Sequence, residues 1–328
     1  MSSLSAEEQK TTTPLKIFFT GGTGNNGRAI VPHLLSRGHT IKALVRDPNK
    51  ATAQALEAQG CNLVKGDATS PESWSAEVAD CDAVIWSSVI WGDFTADMGS
   101  LSKCCEVLAD AARKEGKHPA TRKLLVTTGV LGYEQREDDP QLGIPEWKPN
   151  QESFPPVKGF QMKERLVRFA DICGCAISLG FTYSHSPQTS GLFPFVFKGF
   201  DRSSKKIFYK GDKSVGISHI HLEDAADMYA KIIEAPALDV KGQRFNCSND
   251  TNVSNGEVVD AFANIWGCEA VQSETEQWAL AGKTCYQDCS KAKRVLGWEP
   301  KHKSVLDELG EIIPAMYGDD PELKVTFH

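Results

Sequence analysis

Glycine spacing constrains this chain more than any other feature. Thr20-Gly21-Gly22-Thr23-Gly24-Asn25-Asn26-Gly27 follows an apolar run, Leu15 to Phe19. It precedes Arg28-Ala29-Ile30-Val31-Pro32-His33-Leu34-Leu35, in which Ile30, Val31, Leu34 and Leu35 share one helical face. Strand, glycine loop and helix, in that order, is the arrangement that holds a dinucleotide pyrophosphate. Gly21 is placed for a tight turn, Gly24 for close approach of backbone to phosphate, and Gly27 for close packing of helix on strand. Thr23, Asn25 and Asn26 complete the loop and the helix's first turn, whose N–H groups and dipole favour an anion.

Strands and helices then alternate. Strands are predicted over 40–46, 61–66, 83–88, 123–129 and 175–179, with helices over 51–59, 98–114 and 159–171 between them. Short joints between alternating elements imply an α/β fold, a Rossmann-type doubly wound parallel sheet with right-handed crossovers. Beyond Gly180 the rhythm changes. Residues 181–200 read as aromatic and irregular; short strands are expected at 206–210, 215–220 and 243–247, a helix from Leu222, and a short helix ended by Gly297 and Pro300. The expected organisation is a polar tail (1–14), a cofactor-binding core (15–180) and a small C-terminal substrate-binding lobe (181–328), with a segment of about 215–247 returning to the core.

A net charge of −7 gives no basic footprint for nucleic acid, and no apolar run is long enough to span a bilayer. The first residues lack the apolar centre of a signal peptide, which points to a cytoplasmic protein with a small-molecule substrate. Ten cysteines could suggest disulfides or zinc, but no C-x-x-C pair is repeated, so buried thiols and no metal site are expected.

The loop 21–27, the strand end Leu44-Val45-Arg46, Gly66-Asp67, the stretch His219-Ile220-His221-Leu222-Glu223-Asp224-Ala225-Ala226, and Ser290-Lys291-Ala292 with Leu296-Gly297-Trp298-Glu299-Pro300 together resemble the extended and atypical branches of the short-chain dehydrogenase/reductase superfamily. The resemblance runs from about Leu15 to about Leu309 and implies an NAD(P)-binding core, an oxidoreductase or epimerase-like activity, and in many relatives a homodimer through the helices 98–114 and 159–171. One departure stands out. The family's catalytic Tyr-x-x-x-Lys retains Lys163, but Gly159 occupies the tyrosine's place. The lysine is implied to hold the nicotinamide ribose, Thr128 (beside Thr127) to be the small hydroxyl residue after the fifth strand, and Asp67 to accept from the adenine amino group.

Arg46 stands where an acidic residue would read the ribose hydroxyls of NAD, and a guanidinium there suits the 2′-phosphate of NADP(H); Asp47 beside it could still read a ribose. Ser87 and Ser88 are placed to line the nicotinamide-side ribose. Without the tyrosine, Tyr183 and His185, just past the sixth strand, are the candidate proton donors, with Tyr133 a third. His219 and His221 read as core or supporting groups rather than a metal pair, and residues 130–156 as a flap over the site. Trp86, Trp91, Phe160, Phe181, Phe193, Phe195 and Phe197 suggest an aromatic pocket. The function expected is NADP(H)-dependent reduction or dehydrogenation of a small apolar or aromatic carbonyl, enone or imine. The missing tyrosine keeps open a redox-neutral isomerase, epimerase or cyclase, or a non-catalytic NADP-binding regulator.

Overall fold

The computed structural model describes residues 13–88, 94–130, 155–185, 193, 196–273, 284 and 286–326. Strand β1 (Lys16–Thr20) lies in the interior of the main sheet, where Ile17, Phe18, Phe19 and Thr20 are all fully buried. A strand apolar on both faces must be covered on both faces, which is the environment of a central parallel strand. β1 pairs in parallel with β2 (Thr40–Val45) on one side and β4 (Ala83–Trp86) on the other. β3 (Asn62–Lys65) lies outside β2, while β5 (Lys123–Gly129), β6 (Cys173–Leu179) and β11 (Arg244–Cys247) extend the other edge. The result is a seven-stranded parallel sheet in the order β11-β6-β5-β4-β1-β2-β3. The predicted Rossmann-type α/β fold is therefore present, and its last strand comes from far down the chain.

Helices α1 (Asn25–Ser36), α2 (Ala51–Ala58), α3 (Ser75–Ala79), α4 (Phe94–Lys114) and α5 (Pro155–Phe169) make the crossovers. On one face, Ile30, Val31 and Leu34 of α1 pack with Ala226, Met228 and Ile233 of α6 (Leu222–Glu234). Glu234 at the end of α6 binds Arg37 and also His39 (3.1 Å), tying the two helices together. On the other face, Leu101, Cys104 and Leu108 of α4 and Val167 of α5 cover Trp86 and Val126. Helices α4 and α5 each begin about one turn earlier than their apolar periodicity suggested.

The region expected to be irregular after Gly180 holds two strands, β7 (Phe181–Tyr183) and β8 (Phe197–Asp201). β7 pairs in parallel with β10 (His219–His221), the only part of 215–220 that forms a strand. β8 joins β9 (Lys206–Tyr209), β12 (Glu269–Gln272) and β13 (Lys324–Thr326) in a four-stranded sheet. Among the described residues, three further helices precede the last one: α7 (Ala237–Val240), α8 (Asn255–Trp266) and α9 (Ser290–Leu296). The lobe's core is formed by α8 and α10 (Val305–Tyr317) around Phe193, Phe197 and Phe200. α8 begins at a reciprocal Ser254–Glu257 capping box and stops at Gly267, whose φ is +61°. No described helix is long and apolar enough to cross a membrane. The nine described cysteines are free thiols, seven of them buried.

Candidate functional site

The glycine loop sits at the carboxyl end of β1, between β4 and the start of α1. Gly21 has φ +79°, a conformation L side chains avoid, and a Cβ there would lie 3.1 Å from the Ser87 and Ser88 backbone. Gly27 is tighter still: a Cβ would stand 2.5 Å from Gly22 Cα and O and would strike Gly21 O. Gly24 caps α1 with extended backbone, and neither a side-chain cap nor an acidic residue occupies that first turn. Asn25 is exposed there and Asn26 half-buried. An anion can therefore meet the helix's first-turn N–H groups directly. Thr20, buried beneath the loop, fixes it to β4: its Oγ1 accepts from the Ser87 and Ser88 amides at 3.1 and 3.2 Å and from the Ser88 hydroxyl at 2.9 Å.

A cavity of about 490 Å³ opens beside this loop, lined by Thr23, Arg46, Asp67, Thr69 and Ser88 among others. Thus the strand ends of β1, β2, β3 and β4 bring together residues that the sequence singled out separately. Asp67 Oδ1 accepts from the Thr69 amide (2.9 Å) and hydroxyl (2.7 Å), which hold its carboxyl below the usual range; Arg46 adds to this. Asp47 does not line the cavity; its Oδ1 accepts from the Asn49 amide at 3.0 Å in a local turn. Ser88 stands on this side of the loop, while Ser87 shares the buried Tyr229 hydroxyl with Thr127, which lies 2.6 Å from it. An extended dinucleotide fits this layout, with glycines where a Cβ would block the approach and charge partners at its rim.

That geometry matches a known architecture. A family model described as NAD(P)H-binding matches residues 21–158. A short-chain dehydrogenase/reductase superfamily protein of Agrobacterium tumefaciens, solved with bound NAD, superposes with a TM-score of 0.66 over 92% of this chain and 96% of its own, at 17% identity. The chain has the fold of that protein, and its N-terminal part matches an NAD(P)H-binding domain. In sequence, the 2-alkyl-3-oxoalkanoate reductase of Stenotrophomonas maltophilia is 23% identical over 282 residues, covering 83% of this chain and 81% of that protein. An uncharacterized protein of Saccharomyces cerevisiae is 19% identical over 306 residues, covering 90% of this chain and 98% of that protein.

Against this dehydrogenase/reductase frame, Lys163 holds a buried position. Its side chain is 1% exposed, pairs with Asp97 Oδ2 at 2.7 Å and donates to the Ser88 carbonyl at 3.1 Å. Burial pulls the ammonium below the ordinary lysine range, and Asp97 works against that. Asp97, itself fully buried in the first turn of α4, also accepts from Trp86 Nε1 at 3.3 Å. Gly159 is buried four residues before Lys163 and offers no side chain; Phe160 next to it covers Gly129, whose Cβ would lie 3.1 Å from the ring. Thr128 does not face a cavity either. Its hydroxyl donates to Glu164 Oε1 at 2.7 Å, inside the packing of α5 on the sheet.

The two candidate proton donors lie near each other but differ in exposure. Tyr183 is fully buried; its hydroxyl accepts from Asn249 Nδ2 at 2.7 Å and faces Glu308 Oε1 at 3.4 Å, and burial pushes the phenol far up. The placement expected for it, facing the cofactor, is corrected: residues 181–183 form a strand whose pairing with β10 turns this ring into the lobe. His185, two residues on, lines a second cavity of about 820 Å³ together with Arg28 of α1, Ser184, His221, Asp224 and Lys301. The aromatic pocket is also corrected. Trp86 packs edge-on against Trp74 at 5.6 Å, and Phe193 and Phe197 pack on Phe262 at 5.7 and 4.7 Å, so these rings are core. Of the described rings on that side, Phe160 and Phe181 stay half-buried. Trp91, Tyr133, Phe195 and most of the expected flap lie outside the described residues.

Sequence reasoning missed Asp97, the partner that gives Lys163 its setting. An acid in a helix's first turn has a dipole reason to be there, and that was the only signal available.

Proposed function

We propose that this chain binds NADP(H) and uses it to reduce a small carbonyl compound. The observation that carries the reading is Arg46 lining the same cavity as Thr23, Asp67 and Ser88, with Asp47 engaged elsewhere. A guanidinium at the end of β2 complements a 2′-phosphate, whereas the diol of NAD calls for a carboxylate at that place. The similarity to a 2-alkyl-3-oxoalkanoate reductase supports a carbonyl substrate. With most of the aromatic side chains in the core, that similarity, rather than a ring-lined pocket, is the support for the substrate class.

When bound, the nicotinamide supplies the hydride. The protein's part is orientation and the proton. Lys163 and Asp97 hold the Ser88 turn, and Thr20 ties that turn to the phosphate loop. His185 lines the larger cavity, and its Nε2 lies 3.8 Å from both Glu308 and Glu311, which makes it the proton donor in this reading. Replacing Arg46 with Ala should weaken NADPH binding by roughly ten- to a hundredfold and leave NADH nearly unchanged, since a charged contact is worth on the order of 1.5–3 kcal/mol. Equal losses for both cofactors in a binding titration would refute the 2′-phosphate assignment. His185→Gln should lower single-turnover reduction by about 10²–10⁴ without weakening NADPH binding. Unchanged turnover in that variant would take the proton role away from His185.

Gly159 favours a second reading, in which the cofactor is bound but not consumed, as in a redox-neutral isomerase or an NADP-binding regulator. Incubation with NADPH and a panel of carbonyl compounds separates the two. Net NADPH oxidation supports the reductase; tight binding with no oxidation across the panel supports the second reading.

A further inference from the structure

Parallel pairing of β7 with β10 sets His221 beside Tyr183, and His185, two residues past the end of β7, brings its ring 5.5 Å from that of His221. α10 crosses this edge and supplies Glu308. The His221 side chain is 2% exposed, and its Nε2 lies 4.0 Å from Glu308 Oε2. Oε2 of Glu308 also lies 3.8 Å from Nε2 of His185. These separations are too long for hydrogen bonds, and His221 Nε2 and Glu308 Oε2 are buried without a hydrogen-bond partner among the described residues. Two buried, unsatisfied atoms aimed at one point need a partner, because each loses its hydration without a hydrogen bond in return.

We propose that His185, His221 and Glu308 form a binding site for a divalent transition-metal ion of the zinc type. Two imidazole nitrogens and one carboxylate, with the remaining position open, are a ligand set zinc uses. The three ligand atoms lie within 4.8 Å of one another. An ion with bonds of about 2.0–2.2 Å wants edges of roughly 3.3 Å, so closure asks for shifts below about 1 Å. His185 can supply most of that movement, since its side chain is 42% exposed. The open position faces the cavity of about 820 Å³ that His185 and His221 line.

The surroundings suit a ligand histidine. His302 stacks on the His221 ring at 3.7 Å and is itself fixed by Asp224, 3.0 Å from its Nδ1. Binding through Nε2 moves the ring proton to Nδ1 and gives up a long 3.3 Å contact from the Glu223 amide. The Glu223 carboxylate, within 4.8 Å of a His221 ring nitrogen, can take that Nδ1–H, the usual support for a metal-bound histidine. His221, Glu223 and His302 make a competing set, but Glu223 is exposed and only His221 among them is buried.

The test uses the full chain, stripped with a chelator and free of cofactor and substrate, titrated with Zn²⁺ against a chromophoric chelator and with Co²⁺ followed in the visible. The expected result is one equivalent bound, with affinity lowered about a hundredfold or more in His185→Ala and in Glu308→Gln and retained within about tenfold in His302→Ala. His185→Ala removes a partly exposed side chain, so it keeps the question answerable if a change at the buried His221 unfolds the lobe. Absence of saturable one-equivalent binding, or affinity unchanged in His185→Ala and Glu308→Gln, overturns the site. Loss in His302→Ala with full binding in His185→Ala overturns it too and moves the metal to the competing set. An occupied site takes the same His185 nitrogen that the reductase reading uses for proton delivery. Binding without cofactor and turnover without metal therefore succeed or fail separately.

Discussion

Gly27→Ala should abolish measurable NADPH binding and lower the melting temperature. The new methyl would stand 2.5 Å from Gly22 Cα and O, and real Cβ atoms do not approach backbone so closely. Neither neighbour is the far end of a flexible side chain, so α1 or the loop itself must shift. Overpacking of this kind costs typically about 1–3 kcal/mol. The functional cost is larger, because the shifted atoms are those that set where the first-turn N–H groups of α1 point. Gly24→Ala provides the contrast: that glycine is exposed, its Cβ would meet only Gly21 O at 3.2 Å, and folding should change little. Calorimetry and NADPH titration on the two variants check this. Wild-type affinity in a folded Gly27→Ala protein would mean the pyrophosphate does not use this loop.

Asp97→Ala carries the largest stability effect expected here. It strands the Lys163 ammonium, 1% exposed, with the Ser88 carbonyl its one other partner among the described residues. Removing one member of a buried ion pair typically costs about 3–5 kcal/mol, most of it the burden of the uncompensated charge rather than the lost attraction. Adding Lys163→Met to Asp97→Ala should therefore recover much of the loss, since the charge that needed a partner is gone. Denaturant unfolding of the two variants measures this. If the double variant is no more stable than Asp97→Ala, the pair is not what holds α4 to α5. Cofactor affinity should remain reduced in the double variant, because the Ser88 turn has lost its donor.

The first half of the fold was legible because each strand there is a short apolar run between turn residues, and each helix shows a 3.6-residue stripe. β1 and β5 came out within a residue of their predicted positions for that reason. The lobe was harder. Its aromatics at 193, 197 and 200 mark a core formed with Phe262, Trp266 and Tyr317, and sequence alone cannot tell a ring that packs on a distant helix from one that lines a cleft. Neither α8 nor α10 was read from the sequence: the Ser254-x-x-Glu257 box that starts α8 was overlooked, and Pro314 interrupts the pattern of α10. The site followed the same division. Arg46, Asp67 and the glycines were visible because local position on a known layout fixes them. Lys163 was visible as a lysine, but its burial depends on Asp97, sixty-six positions away. The His185, His221 and Glu308 cluster has no spacing signature at all, since the turn after β7, a strand and a helix distant in the chain assemble it.

The place of β11 in the sheet has a consequence for how the polypeptide is made. β6 is buried at every residue from Cys173 to Leu179, and its outer edge is completed only by Arg244–Cys247. On a ribosome, the first six strands emerge and can pair while that apolar edge has no neighbour. At about 5–20 residues per second, the nascent chain carries it for on the order of several seconds. An unpaired, largely apolar edge is the kind of surface other chains add to. The first part of the lobe, β7 to β10, lies between the two strands, so any delay in translating it lengthens the exposure. The N-terminal domain and the lobe are thus coupled in production, and holding factors that shield β6 until β11 arrives would act on yield before activity is ever at issue.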